Sequence, residues 1–181
     1  MNIRIISGKY GGRSIEAPGR STTHAMSERA RNALFNSIAA ELPGSHVLDA
    51  FAGSGSLGIE AMSRGADQVV FVEKDRIAAK IIQKNLDMLA IDNSKVVKAT
   101  VSNWLDSSEQ EKFDIIFADP PYTDTQFSTV ERLFGLLKPG ALMVLSHPGK
   151  GEVPSKTGVV VVDNRSYGNL NLTFYRLEGA E

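Results

Sequence analysis

The sequence predicts an α/β fold: a doubly wound, mostly parallel seven-stranded sheet with an antiparallel final strand and a small N-terminal hairpin-helix extension. Three observations carry that reading. Short apolar runs alternate with helical patterns from Val47 to Leu145, which implies parallel strands covered by helices on both faces. A glycine-rich turn, Gly53-x-Gly55-x-x-Gly58, joins the first of those strands to a helix. After Pro148 two strands follow with no helix between them, so a hairpin closes the sheet and one strand runs against the rest.

In chain order, Ile3–Ile6 and Arg13–Glu16 flank Gly8, Gly11 and Gly12, the pattern of a short hairpin with a mobile tip. Pro18 and Gly19 break the chain. A helix is expected from Ser27 to Ala40, with Ser27 as N-cap and Ala30, Leu34, Phe35 and Ile38 on one face. Pro43-Gly44 ends it. Strands are expected over Val47–Ala50, Val69–Glu73, Val96–Ala99, Phe113–Ala118, Ala141–Leu145, Val159–Val162 and Leu170–Leu177. Helices are expected over Leu57–Arg64, Arg76–Leu89 and Phe127–Leu136, with a helical turn near Trp104.

The 181 residues fit one domain, with 1–42 as the extension and 43–181 as the ligand-binding core. There is no apolar run long enough for a membrane span, no signal-peptide stretch and no cysteine, which points to a cytoplasmic enzyme without disulfides or thiolate metal sites. His24, His46 and His147 are scattered, so no metal site is expected. The net charge of -1 hides an asymmetry: residues 1–31 carry six basic and two acidic side chains, the rest 14 basic and 19 acidic. Local positive charge suits phosphate contact, although a solvated basic arm has the same composition.

Gly53 and Gly55 would let the backbone turn tightly and approach a ligand, and Gly58 would let the helix pack against a strand. Glu73 lies twenty residues after Gly53, at the end of the second parallel strand, where a carboxylate can accept hydrogen bonds from ribose hydroxyls. NAD and S-adenosylmethionine share that ribose. Asp49 favours the second, because an acidic group in the crevice attracts a sulfonium and repels a pyrophosphate; its alternative role is to cap a neighbouring turn.

Asp119-Pro120-Pro121-Tyr122 follows the apolar run Phe113–Ala118. The prolines fix the backbone, so the Asp119 carboxylate and a rigid carbonyl can accept both hydrogens of an exocyclic amine. Tyr122 offers a face for a stacked base, a role that needs its ring and not its hydroxyl. Such hydrogen bonds would aim the nitrogen lone pair at a methyl carbon for in-line displacement. Asp119 then either takes a proton or stabilises the positive nitrogen.

The order Asp49, Gly53-x-Gly55, Glu73, Asp119-Pro120-Pro121-Tyr122 resembles class I methyltransferases acting on amino groups, which have a Rossmann-like fold. From Arg4-Ile5-Ile6-Ser7-Gly8 to Tyr167-Gly168 and the last strand, the chain is similar to the bacterial 16S rRNA guanine-N2 methyltransferase family. The resemblance implies S-adenosylmethionine as cofactor and 16S rRNA as partner, free or in the assembled small subunit, with a monomeric enzyme. It places Asp119, Pro120 and Tyr122 in catalysis, and Asp49, Gly53, Gly55, Glu73, Lys74 and Ser102 around the cofactor. Arg4, Lys9, Arg29, Arg31 and Tyr122 are placed against RNA, with Phe35 and Asn36 also matching. Where the family has Arg-Pro-Thr-Thr-Asp, this chain reads His24-Ala25-Met26-Ser27-Glu28. The wider class binds the adenine amine with an acidic residue after the third strand, for which Ser102 or a backbone group stands here.

An NAD-dependent oxidoreductase would explain the glycine loop and Glu73 but not Asp-Pro-Pro-Tyr. A DNA or RNA adenine-N6 methyltransferase shares that motif, although the DNA enzymes generally add a target-recognition region. A non-catalytic rRNA-binding assembly factor would not need the site residues.

Overall fold

The structure is a computed structural model and describes residues 2–19, 26–107 and 111–179. Arg20, His24 and Ala25 lie outside the described residues. A two-stranded antiparallel hairpin, β1 (Asn2–Arg4) and β2 (Ser14–Glu16), opens the chain. Helix α1 (Glu28–Ser37) follows, with the Ser27 hydroxyl accepting from Ala30 N. The expected continuation to Ala40 is instead a 3-10 turn over Ala39–Glu41.

The core alternates β3 (His46–Ala50), α2 (Ser56–Ser63), β4 (Gln68–Glu73), α3 (Arg76–Met88), β5 (Ser94–Lys98), α4 (Val101–Ser107), β6 (Phe113–Ala118), α5 (Phe127–Leu133) and β7 (Leu137–His147). A 3-10 turn over Phe134–Leu136 completes the helical stretch expected there. Strands β8 (Val159–Tyr167) and β9 (Leu170–Leu177) form the closing hairpin. The seven strands run in the order β5-β4-β3-β6-β7-β9-β8. All pairs from β5 to β7 are parallel, and β9 is antiparallel to both neighbours. The last strand in sequence therefore sits inside the sheet, and β8 forms its edge. Strand β8 runs five residues beyond the expected Val162, past an irregularity in pairing between Val161 and Asp163.

Period-two alternation divides the core into two layers. Val47, Phe71, Ile115, Phe117, Leu142 and Val144 face α1, α2 and α3 through Leu34, Phe35, Ile59 and Ile82. Leu48, Val70, Val72, Ile116, Met143 and Leu145 face Trp104, Val130, Leu133 and Phe134. Phe35, Phe71 and Phe117 are essentially inaccessible, each contributing about 1.5–3 kcal/mol through burial. The alternation also determines where the polar strand ends lie. Glu73 continues the row of Val69 and Phe71, Asp119 that of Ile115 and Phe117, and Ser146 that of Leu142 and Val144. Asp49 shares a face with Val47. All four are therefore on the α1–α2–α3 side of the sheet, at the carboxyl ends of adjacent strands. The strand order reverses beside β3, which opens a crevice at that edge. Among the described residues no helix is long and apolar enough to cross a membrane.

Candidate active site

The glycine loop is built by backbone geometry. Gly53 and Gly55 have φ of 57° and 77°, and Gly55 is the residue that caps α2. Phe51, just before them, takes φ of 56°, a conformation unfavourable for a bulky side chain. Ala52 N donates to Val72 O at 2.9 Å, tying the loop to β4. A Cβ on Gly58 would lie 2.3 Å from the Phe71 ring, so α2 can rest on β4 only with glycine there.

Two carboxylates complete the loop. Glu73 accepts from Gly53 N on Oε1 and from Asp75 N on Oε2, both at 2.7 Å. Each oxygen keeps lone-pair capacity, so ribose hydroxyls could still donate to it. Asp49 is buried beneath the loop, and its Oδ2 accepts from Gly58 N at 3.0 Å, so it caps the first turn of α2. Burial pushes the Asp49 carboxyl well above its ordinary range, the Gly58 amide opposes this, and the charges of Asp119 and Glu73 push it further. With Glu73 and Asp119 at the neighbouring strand ends, the crevice is acidic, which suits a cationic ligand that carries a ribose diol, such as S-adenosylmethionine, over a pyrophosphate.

Asp119 follows β6, and the pairing of Ala118 with Ala50 and Leu145 sets it between the ends of β3 and β7. Burial raises its carboxyl to about 6, and a hydrogen bond from the Ser146 hydroxyl works in the opposite direction. The group is mostly ionised at neutral pH. Pro120 is buried, and Tyr122 presents 41% of its surface to solvent. The Tyr122 hydroxyl lies 2.9 Å from Ser146 Oγ, so the exposed ring is tethered at its far end.

Other expected residues are more dispersed. Lys74 is exposed beside Glu73. Ser102 is partly buried in α4, and its hydroxyl accepts from Arg132 of α5 at 3.4 Å. Arg4 pairs with Glu28, and Arg29 is exposed in the first turn of α1. Lys9 is exposed at the hairpin tip, its ammonium over the Tyr10 ring and its backbone amide on Ser63 O. Ser63 ends α2, so Lys9 stands about 12 Å, one eight-residue helix, from the glycine loop.

Two expectations are corrected. Arg31 is 2% exposed. Its guanidinium donates to Arg4 O and lies 3.7 Å from Glu60, itself buried, so it fastens the extension and offers no surface to phosphate. Nor is the hairpin tip loose: Lys9 N and Tyr10 N donate to the Ser63 carbonyl and hydroxyl, and that hydroxyl donates to Ser7 O. Sequence reasoning missed Ser146, Glu60 and Asn85. Ser146 alone had a readable signal, a polar residue in register with the inward row of an apolar strand. A cleft of about 310 Å³ lined by Pro43, Ser45, Asp114 and Pro139 lies by the starts of β3 and β6, at the opposite strand ends from Asp49, Glu73 and Asp119.

Residues 3–176 match the family model described as Conserved hypothetical protein 95. The chain belongs to that family. It is 30% identical over 98% of its length to all of Bacillus subtilis (strain 168) YlbH, provisionally named an rRNA methyltransferase. It is 35% identical to Ribosomal RNA small subunit methyltransferase D of Haemophilus influenzae, over 78% of this chain and 76% of that one. The Escherichia coli protein yhhF, provisionally described as a methyltransferase, has a solved structure with TM-score 0.86. It is 32% identical and matches over 99% of this chain and 100% of its own. The fold is that of a class I methyltransferase.

Proposed function

We propose that this chain transfers the methyl group of S-adenosylmethionine to the exocyclic N2 amine of a guanine in 16S rRNA. The observation that carries the reading is the placement of Asp119, tethered Tyr122, Asp49 and Glu73 at one edge of one sheet face. The names of the relatives support rRNA as the substrate class, and the full-length likeness to the guanine-N2 family supports the acceptor atom.

The bound cofactor supplies a methyl carbon on a sulfonium. Glu73 and the Gly53–Gly55 backbone hold its ribose end, and Asp49 holds its cationic end. Tyr122 stacks on the target base, which must be extruded or single-stranded to enter the crevice. Asp119 and the Pro120 backbone accept the two amine hydrogens and direct the nitrogen lone pair. S-adenosylmethionine, when bound there, would give up its methyl group to the nitrogen and leave as the neutral thioether, keeping the S–C electron pair. The nitrogen becomes cationic, and its surplus proton passes to the Asp119 carboxylate or to water. Arg4, Lys9 and Arg29 contact phosphates, residues 1–42 acting as the RNA-side extension. Such an enzyme works in the cytoplasm, as a monomer and without metal, on rRNA free or assembled.

Incubation with labelled S-adenosylmethionine and rRNA, small-subunit particles or DNA, followed by nucleoside analysis, tests the reading. N2-methylguanosine from small-subunit RNA is expected. Label confined to adenine, to DNA or to no nucleic acid would refute it.

A further inference from the structure

Ser146 ends an otherwise apolar stretch of β7, and only 2% of it is exposed. The Ala118–Leu145 pairing brings the next residues, Asp119 and Ser146, side by side on one face. The serine hydroxyl has one proton and two acceptor sites. An ionised carboxylate can only accept, so Ser146 is the donor in the side-chain interaction that favours the charged form of Asp119. It must then accept from Tyr122, whose oxygen is 2.9 Å away. The chain therefore has one direction: Tyr122 to Ser146 to Asp119.

We propose that Ser146 is a positioning residue of the methyl transfer, a buried hydroxyl that fixes the Asp119 carboxylate and the Tyr122 ring in mutual register. The proposal rests on the assignment of Asp119 and Tyr122 to the amine and the base. Only the Tyr122 ring is exposed for stacking, and without its hydroxyl anchor the ring could turn about two free torsions. The sequence-level expectation that Tyr122→Phe is harmless is therefore revised. Two other titratable groups lie in the field of Asp119: Asp49 from β3, which Glu73 also acts on, and Tyr122 in its own loop. Ser146 favours the ionised carboxylate, so its loss leaves that form disfavoured by burial.

The test combines two variants, a rescue and two readouts. Single-turnover methyl transfer is followed from pH 5 to 9 with saturating S-adenosylmethionine, and Asp119 is titrated by carboxyl NMR in the same free proteins. In Ser146→Ala both midpoints should rise by about half a unit or more, and the rate at pH 7 should fall about ten-fold. Ser146→Thr, which keeps the hydroxyl, should restore the midpoints. Tyr122→Phe, at an exposed position that tolerates the change in fold, should raise the RNA concentration for half-maximal rate about three- to ten-fold. Unmoved midpoints in Ser146→Ala, together with wild-type RNA dependence in Tyr122→Phe, would overturn the proposal. Should the wild type methylate no guanine while the NMR midpoint moves, the substrate assignment falls and the Ser146 link to Asp119 stands.

Discussion

The Glu73 carboxylate receives the Gly53 amide on one oxygen and the Asp75 amide on the other, so it closes the glycine loop before any ligand arrives. Removing it strands two amides at about 1–3 kcal/mol each. Glu73→Ala should therefore lower the melting temperature and weaken S-adenosylmethionine binding about ten-fold or more by calorimetry. Unchanged affinity would take Glu73 out of the site. Asp119 shows the opposite balance between function and stability. Its folded pKa, about 6, lies above the ordinary 3.8, so the native state binds the proton more tightly than the unfolded chain. Stability is then lost as pH rises from about 4 through 6. Asp119→Asn, neutral throughout, should be more stable than wild type at pH 7.5 by about 1–3 kcal/mol. That gain should vanish below about pH 4. Denaturant melts at both pH values check it, and a loss of stability at pH 7.5 would mean that Asp119 is held mainly by favourable contacts.

Helix α2 works as a strut between the glycine loop and the N-terminal extension. Its first turn is capped by Asp49, and its last turn, through Glu60 and Ser63, holds the hairpin. Glu60 accepts from Ile6 N and Ser7 N and pairs with Arg64, with Arg31 beside it. Asn85 on α3 extends the attachment by exchanging two hydrogen bonds with the Glu16 backbone, as a strand would. Truncating Arg31 leaves the Arg4 carbonyl without its donor and empties a buried position, while Glu60 keeps Arg64. Arg31→Ala should therefore cost about 1–3 kcal/mol in stability, with any RNA defect following from unfolding. Arg29→Ala, at an exposed position, should leave melting unchanged while weakening RNA binding and flattening its salt dependence by about one unit of slope. A destabilised Arg29→Ala or a fully stable Arg31→Ala would reverse these assignments. Gly58→Ala would drive a methyl into Phe71 and should cost about 1–3 kcal/mol, seen as a lower denaturation midpoint.

At the scale of the whole molecule, the parallel core was legible because strands buried on both faces are short apolar runs. Val47–Ala50 and Phe113–Ala118 could hardly be anything else between glycine- and proline-rich turns. The crevice residues were legible because Gly53, Gly55, Glu73 and Asp119 sit at strand ends, where chain order alone places them at one edge. Arg31 was not legible, because a basic side chain beside exposed Arg29 carries no mark of the Glu60 partner twenty-nine residues on. Ser146 needed the register of β6 against β7, a nonlocal fact. The docked hairpin tip needed α2's Ser63, 53 residues from Tyr10. What the fold adds is convergence: an acidic crevice at the strand ends, a tethered aromatic ring beside it and an extension fastened to α2 and α3. The most direct measurement is single-turnover methyl transfer to small-subunit rRNA by Asp119→Asn, with cofactor affinity measured in parallel. A fall of about 10²-fold in rate, at unchanged affinity for S-adenosylmethionine, is the predicted result, and a rate close to wild type would contradict the assignment of Asp119 to the reacting amine.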